Sequence, residues 1–338
     1  MAKGMRWILA RRPQGDPATA DFALEEFTLE PPGKGKMNIR VEYHTIAPGI
    51  RPKLTGQTYA AMVQIGDPIP GVGVGLVEAS DHPEFAVGDR VTGELGWATH
   101  TVSDGAGLRK LDKQVFDASI PSSAAVDVLG SSGLTAYFGL LRVGEARPGM
   151  TVLISSAAGA VGSAVGQFAR ILGCRVVGIA GSPEKSASLT DDFGFDASID
   201  YRATPNLTAA IAANCPNGVD VYFDNVGGVV TDAAIRNMRI GGRIVICGQT
   251  SEYNLPEPRG VRAMTEVISR RLRLEGFIVY DFLEDFDAAR AQIAGWLRDG
   301  RLKHLPTVIP GIEHAVDGFL ARFTGAQGGR PIVQPSPP

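Results

Sequence analysis

"TVLISSAAGAVGSAVG" (Thr151–Gly166) decides how the second half of the chain is read. An apolar run, Thr151–Ser155, passes straight into a turn. Beyond it Val161, Ala164, Val165, Phe168, Ala169 and Leu172 recur at helical spacing, which predicts an amphipathic helix. Gly159, Gly162 and Gly166 stand three and four residues apart across the junction. Lacking a Cβ, they permit a tight turn, close approach of the backbone to a pyrophosphate and close helix–strand packing. The start of the helix presents N–H groups and a partial positive charge to an anion. A glycine trio alone is a weak signal. Between a strand and a helix it reads as a dinucleotide-binding turn, with Gly159, Ala160, Val161 and Gly162 against the ligand.

The flanking sequence repeats the strand–helix rhythm. Thr151–Ser155 is followed by the strand-like runs Arg175–Ala180, Ala197–Asp200, Val219–Asp224, Arg243–Gly248 and Leu274–Val279, with helix-length segments between them. Six such strands predict an α/β fold, a doubly wound, six-stranded parallel Rossmann sheet. Up to about residue 125 the chain differs. Short runs such as "MNIRVEYHTI", "GVGVGLVEAS" and "GDRVTGEL" alternate with Gly and Pro, as in an all-β barrel or sandwich. Near the end, "HAVDGFLARF" reads as a helix and "RPIVQ" as a strand that returns to the β-domain. The expected organisation is a β-domain over 1–125, completed by 305–338, and a Rossmann domain over 126–304.

The second Rossmann strand usually ends in an acid that grips the adenosine ribose. Here Gly181 occupies that place, 22 residues beyond Gly159. With no carboxylate, the pocket does not repel a 2′-phosphate. Ser182 supplies a hydroxyl, Lys185 a cation, and Tyr201 and Arg202 end the neighbouring strand, Arg with a planar fork. These residues point to NADP(H) rather than NAD.

The composition of the whole chain agrees with a soluble globular protein. It has 338 residues, 44% of them hydrophobic, and a net charge of −3, which argues against nucleic acid as the main partner. No apolar run approaches the roughly 18 residues of a membrane span, so a cytoplasmic protein is expected. Cys174, Cys215 and Cys247 form no CxxC pair, and the five histidines show no metal-ligand spacing. No metal is expected.

The motifs "SSGLTAYFGL", "AAGAVGSAVGQFAR", "GFDASIDYR", "GVDVYFDNVGG", "RIVICGQTSEYN" and "RLRLEGFIVYDF" occur in that order. In this the chain resembles the medium-chain dehydrogenase/reductase superfamily. The likeness is to its zinc-independent leukotriene B4 12-hydroxydehydrogenase / prostaglandin reductase branch, which includes alkenal double-bond and curcumin reductases. The resemblance implies a GroES-like β-domain for substrate, a Rossmann domain, and a cofactor in the cleft between them. It carries cofactor contacts onto Lys185, Tyr201, Asn225, Cys247, Tyr253 and Phe277, Ile278 and Val279. It also implies an activity: NADPH-dependent reduction of the C=C bond of α,β-unsaturated ketones and aldehydes, by hydride transfer to the β-carbon. A homodimer is implied as well. The group that stabilises the enolate oxygen would be Tyr253, Tyr59 or Ser132, or else the cofactor ribose hydroxyl.

The chain departs from the family at three places. "APGIR" puts Ala47 and Gly49 where the family carries Asp and Tyr. "GSSGLTAY" places Ser131 and Ser132 near the expected nicotinamide. "GAQGGR" puts Gln327 at a cofactor-contacting Asn. The vacated tyrosine favours a bulky enone. Two alternatives stay open: a carbonyl or quinone reductase on the same scaffold, and a protein that binds NADPH without turnover.

Overall fold

The computed structural model describes residues 2–56, 61–255, 257, 259–324 and 329–336. Tyr59 and Gln327, both singled out above, lie outside the described residues. The chain divides into two compact units, one of residues 1–127, 305–327 and 331–338, the other of residues 128–304 and 328–330.

The first unit is antiparallel-rich. Strands β1 (Ala2–Leu9) and β2 (Phe22–Leu29) pair with each other. The other strands of the amino-terminal half are β3 (Met37–Thr45), β4 (Val72–Ser80), β5 (Arg90–Glu94), β6 (His100–Ser103) and β7 (Arg109–Lys110). A short helix, α1 (Ile50–Thr55), follows β3. In β4 the alternation "GVGVG" has a packing cause. A Cβ at Gly73 would press on Leu95, and one at Gly75 would come 2.6 Å from the Arg40 carbonyl oxygen. Glycine lets neighbouring backbone close in there. Trp7, Phe22, Ile50, Leu54, Trp97 and Phe319 centre one buried cluster of this unit.

The second unit carries the parallel sheet. Its strands are β8 (Thr151–Ile154), β9 (Arg175–Ala180), β10 (Ala197–Asp200), β11 (Val219–Asp224), β12 (Met238–Ile246) and β13 (Arg273–Gly276). They run in the order β10-β9-β8-β11-β12-β13, every pairing parallel. This is the doubly wound Rossmann order expected from the sequence. Its helices are α2 (Ser131–Phe138), α3 (Ala160–Ile171), α4 (Pro183–Asp191), α5 (Leu207–Asn214), α6 (Gly228–Ile235), α7 (Met264–Arg270) and α8 (Phe286–Arg298). Leu153, Val177, Tyr222 and Ile244 of the sheet pack with Ile211, Val230 and Ala234 of α5 and α6. β8 is buried along its whole length, as a central strand covered on both faces must be.

One helix is more deeply covered than its pattern requires, and one strand boundary is corrected. The amphipathic α3 is buried on nearly all sides, Ser163 and Gln167 included, and only Arg170 is fully exposed. Phe168 packs on Trp296 of α8 at 5.2 Å. Gln167 accepts from Lys303 N at 2.8 Å, so its amide is satisfied inside. The sixth strand ends at Gly276 rather than Val279. Asp281 captures the Ile278 N–H at 3.0 Å and starts a helical turn over Val279–Asp285.

The chain closes with β14 (Thr307–Pro310), α9 (Ala315–Thr324) and β15 (Pro331–Gln334), all in the first unit. β15 pairs antiparallel with β3 and parallel with β14.

Candidate functional site

Because all six strands of the second unit are parallel, their carboxyl ends share one edge of the sheet. In such sheets ligands bind at that edge, at the point where the strand order reverses. Here it lies between β8 and β11. Gly159, Ala160, Val161 and Gly162 follow β8. Gly181, Ser182 and Lys185 follow β9, and Tyr201 and Arg202 follow β10. Asn225 follows β11, Cys247 and Tyr253 follow β12, and Phe277, Ile278 and Val279 follow β13. The topology therefore brings these residues to one edge. Ser131 and Ser132 stand instead at the start of α2, which packs on α3.

The glycine-rich turn is tightly built. Ala157 N donates to Ile179 O at 3.0 Å, and Ser156 lies in the left-handed region at φ 50°. Gly159 is the N-cap of α3. A Cβ at Gly162 would come 2.5 Å from Ser156 O, so the helix can rest on the turn only with glycine there. Gly166 has a different cause, since a Cβ would enter the Phe195 ring. The first-turn amides of α3 have no acceptor within the helix and stand at its positive end. They fit a pyrophosphate.

At the end of β9 the ring of Tyr201 takes the place of the missing acid. A Cβ at Gly181 would lie 2.9 Å from Tyr201 Cε1. Tyr201 N donates to Ala180 O at 3.0 Å, which sets the ring there. Arg202 folds back over that ring, its Nε donating to Tyr201 Oη at 3.3 Å. Ser182 is more occupied than its sequence position implies. Its Oγ caps α4 by accepting Lys185 N at 3.3 Å. Its hydroxyl also engages Glu184. That exposed carboxyl is held below the usual range by its own backbone N–H first and by Ser182 second. Glu184 was overlooked, although a glutamate in a helix's first turn is an electrostatic signal in the sequence. Tyr201, Lys185 and Arg202 with no acid on the strand end fit a nucleotide bearing a 2′-phosphate. Lys185→Ala is expected to raise the apparent KM for NADPH roughly tenfold and that for NADH less than twofold, since charged hydrogen bonds contribute about 1.5–3 kcal/mol. Equal rises for both cofactors would remove Lys185 from the phosphate.

The ends of β8 and β11 are tied by a buried network that the sequence reading missed. Asp224 is fully buried. Its Oδ1 accepts Ser155 Oγ (3.2 Å), Tyr222 Oη, Val226 N and Gly227 N (each 2.9 Å), and Oδ2 accepts Thr231 Oγ1 at 2.5 Å. Asn225 N donates to Ser155 Oγ at 2.9 Å and Asn225 Nδ2 to Ser155 O at 2.8 Å. Burial first, and Asp224 second, push the Tyr222 phenol well up. The same two causes push the Cys247 thiol to about 12, so it is a neutral thiol rather than a nucleophile. Tyr253 Oη accepts Gln249 N at 3.3 Å, and a Cβ at Gly248 would lie 3.3 Å from it. The tyrosine hydroxyl is thereby positioned at the end of β12. Phe277 has a packing role: a Cβ at Gly139 would meet both its ring and that of Phe223 at 2.7 Å.

Among the described residues, no three His, Cys, Asp or Glu side chains stand together to hold a metal, and no helix is long and apolar enough to cross a membrane.

The comparisons with known proteins agree with this arrangement. Residues 5–111 match the family model described as the N-terminal domain of oxidoreductase, and residues 160–295 that of zinc-binding dehydrogenase. The chain is 34% identical to NADPH-dependent curcumin reductase of Escherichia coli (strain K12), over 98% of this chain and 97% of that protein. It is 36% identical to 2-alkenal reductase (NADP(+)-dependent) of Nicotiana tabacum, over 97% and 96%. The crystal structure of CurA in complex with NADPH from Vibrio vulnificus superposes with a TM-score of 0.91 at 36% identity, covering 99% of this chain and 100% of that one. With a Rossmann unit of this order, a glycine-rich turn of this geometry and end-to-end likeness to these reductases, the chain belongs to the medium-chain dehydrogenase/reductase superfamily, in its zinc-independent branch of curcumin and alkenal reductases.

Proposed function

We propose that the protein is an NADPH-dependent reductase of the C=C bond of α,β-unsaturated ketones and aldehydes. The observation that carries this reading is the end of β9, where Tyr201 covers Gly181, Arg202 lies over that ring and Lys185 stands in the first turn of α4. It stands in a chain similar over its whole length to a curcumin reductase and a 2-alkenal reductase. Bound NADPH supplies the hydride that reaches the β-carbon, and a proton completes the saturated carbonyl product. The first-turn amides of α3 hold the pyrophosphate, and Lys185, Tyr201 and Arg202 hold the 2′-phosphate. Asn225, fixed by Ser155, orients the strand-end turn at the topological switch point.

Negative charge builds on the substrate's carbonyl oxygen as the enolate forms, and a donor there lowers the barrier. Tyr253 is the donor we assign, with Tyr59 and Ser132 in reserve. The ribose hydroxyl of bound NADPH would share the load, so Tyr253→Phe is expected to lower kcat only about tenfold, near 1.4 kcal/mol, with little change in the Kd for NADPH. An unchanged kcat would remove Tyr253 from the reaction.

The reading is tested by mixing the protein with NADPH and a conjugated ketone and identifying the product. A saturated ketone is expected. An allylic alcohol would show carbonyl reduction instead, and tight NADPH binding without oxidation would show a binding protein.

Gly49 supports a bulky substrate. Its φ is −61°, open to any residue, and a Cβ there meets nothing within 4 Å. Gly49 is exposed, so neither backbone nor packing requires glycine and the position has room for a larger side chain. Gly49→Tyr is expected to fold normally and to shift the kcat/KM ratio roughly tenfold toward a small enal. That shift corresponds to about 60 Å² of apolar contact at about 25 cal/mol per Å². An unchanged ratio would show that the space at residue 49 does not select substrate.

A further inference from the structure

Tyr253 stands between β12 and α7, in a stretch that is neither helix nor strand. A donor on such a stretch meets a reacting oxygen accurately only if its supports are fixed, since a misplacement of about 1 Å can cost about a hundredfold in rate. The supports here are polar and belong to the second unit. The stretch first rests on the turn that follows β11. Thr250 Oγ1 donates to Asn225 O at 3.0 Å, and Ser251 donates to Val226 O from N at 3.0 Å and from Oγ at 2.7 Å. Glu252 N closes a turn onto Gln249 O at 2.8 Å. The far end is held by the buried Asp232 of α6, whose Oδ1 accepts Arg262 N at 2.8 Å and Ala263 N at 2.9 Å.

Between these anchors Glu252 is buried, although it lies in a turn. Its Oε2 accepts Arg259 N at 2.5 Å, and its main-chain O accepts Leu255 N at 3.1 Å. Its Oε1 lies against the first residue of α6, where a Cβ at Gly228 would come 3.1 Å away. Gly228 has φ 59°, so glycine serves both the backbone and this approach. A carboxylate there meets the positive end of α6, which offsets part of the cost of burying it. Glu252 thus joins the turn that carries Tyr253 to the segment at Arg259 and to the start of α6. Tyr253 follows it directly, and the Tyr253 hydroxyl accepts Gln249 N at 3.3 Å across the same turn.

We propose that Glu252 is a positioning residue for the reduction: its carboxylate ties segment 249–259 to α6 and so fixes the Tyr253 hydroxyl. It acts through Tyr253 and not on the substrate. The inference rests on the reading of Tyr253 as the donor to the enolate oxygen.

The test is a double-mutant cycle on the full chain with E252A, Y253F and the two combined, and with E252Q as the conservative variant. Measured are kcat with NADPH and a conjugated ketone, the Kd for NADPH by calorimetry, and hydrogen–deuterium exchange of segment 249–259. E252A is expected to lower kcat roughly three- to tenfold and to change the Kd by less than about twofold. E252Q keeps an oxygen that accepts Arg259 N and is expected to retain more than about half of the kcat. On the Y253F background, E252A is expected to lower kcat by less than about twofold more, because residues that act through one another are not additive. Exchange of the segment is expected to quicken roughly tenfold in E252A and to stay near normal in E252Q. If E252A does not fold, E252D takes its place in the cycle, since it keeps the charge and shortens the reach.

Losses of kcat that multiply in the double variant would show that Glu252 does not act through Tyr253. A Kd for NADPH weakened as much as kcat would make it a general support of the nucleotide site. Unchanged exchange in E252A would show that the carboxylate does not hold the segment. Full kcat in Y253F, or no turnover in the unmodified protein, would sink the reading of Tyr253 and this inference with it. Failure of the Glu252 assignment alone leaves Y253F impaired.

Discussion

Asp224→Ala is expected to lower the unfolding free energy by at least about 4 kcal/mol, the largest loss from any single substitution considered. The carboxylate is fully buried and accepts from three hydroxyls and two backbone N–H groups. Removing it leaves five buried donors short of an acceptor. Each such donor costs about 1–3 kcal/mol when unsatisfied, although rearrangement recovers part of the sum. Asp224→Asn keeps the shape and one acceptor oxygen but loses the charge. It is expected to retain more than half of the lost stability. Urea unfolding followed by circular dichroism compares the three proteins. The Ala variant is also expected to bind NADPH poorly even where it folds, because Ser155 and Asn225 are held at the switch point through this carboxylate. A loss below about 1 kcal/mol in Asp224→Ala would show that the donors find other partners and that the network is not the clamp described.

Acid is expected to destabilise the antiparallel unit through His44. This residue on β3 is fully buried and stacks on Trp97 at 6.1 Å. Its Nδ1 bonds Thr45 O at 3.3 Å, and its Nε2 has no partner. Desolvation lowers its pKa from 6.5 to about 4, against a smaller opposing effect of the Thr45 carbonyl. The folded state therefore binds fewer protons than the unfolded state between these values. Stability is complete above about pH 6.5 and falls as pH drops through the window to about 4. Two to three pKa units at about 1.36 kcal/mol each give a loss of roughly 3 kcal/mol. His44→Phe keeps a flat ring beside Trp97 and cannot titrate. The difference in unfolding free energy between it and the unmodified protein, measured at pH 7, 5.5 and 4, is expected to move by that amount in favour of the variant. Parallel pH curves for the two proteins would falsify the assignment to His44.

The sequence by itself determined the order of strands and helices in the second unit and, with it, the edge on which the site stands. β9, β10 and β11 begin and end where their apolar runs do, because strand length and turn residues are read from close neighbours. The glycine spacing after β8 and the lack of an acid at residue 181 were equally plain, each being a matter of a few residues. Tertiary structure decided what those residues touch. Ser155 and Asn225 meet across 70 positions, and Gln167 and Lys303 across 136. Which side of α3 is covered, why Gly166 must be glycine, and what fills the space beside Gly181 depend on Trp296, Phe195 and Tyr201. None of them is announced by the spacing around α3 or Gly181. The burial of Asp224 and His44 is of the same kind. Each lies in a stretch with ordinary local pattern, and only packing settles whether a polar group meets five donors or one carbonyl. Local pattern sets where the chain turns, whereas solvation and pairing belong to neighbours that only the folded chain brings together.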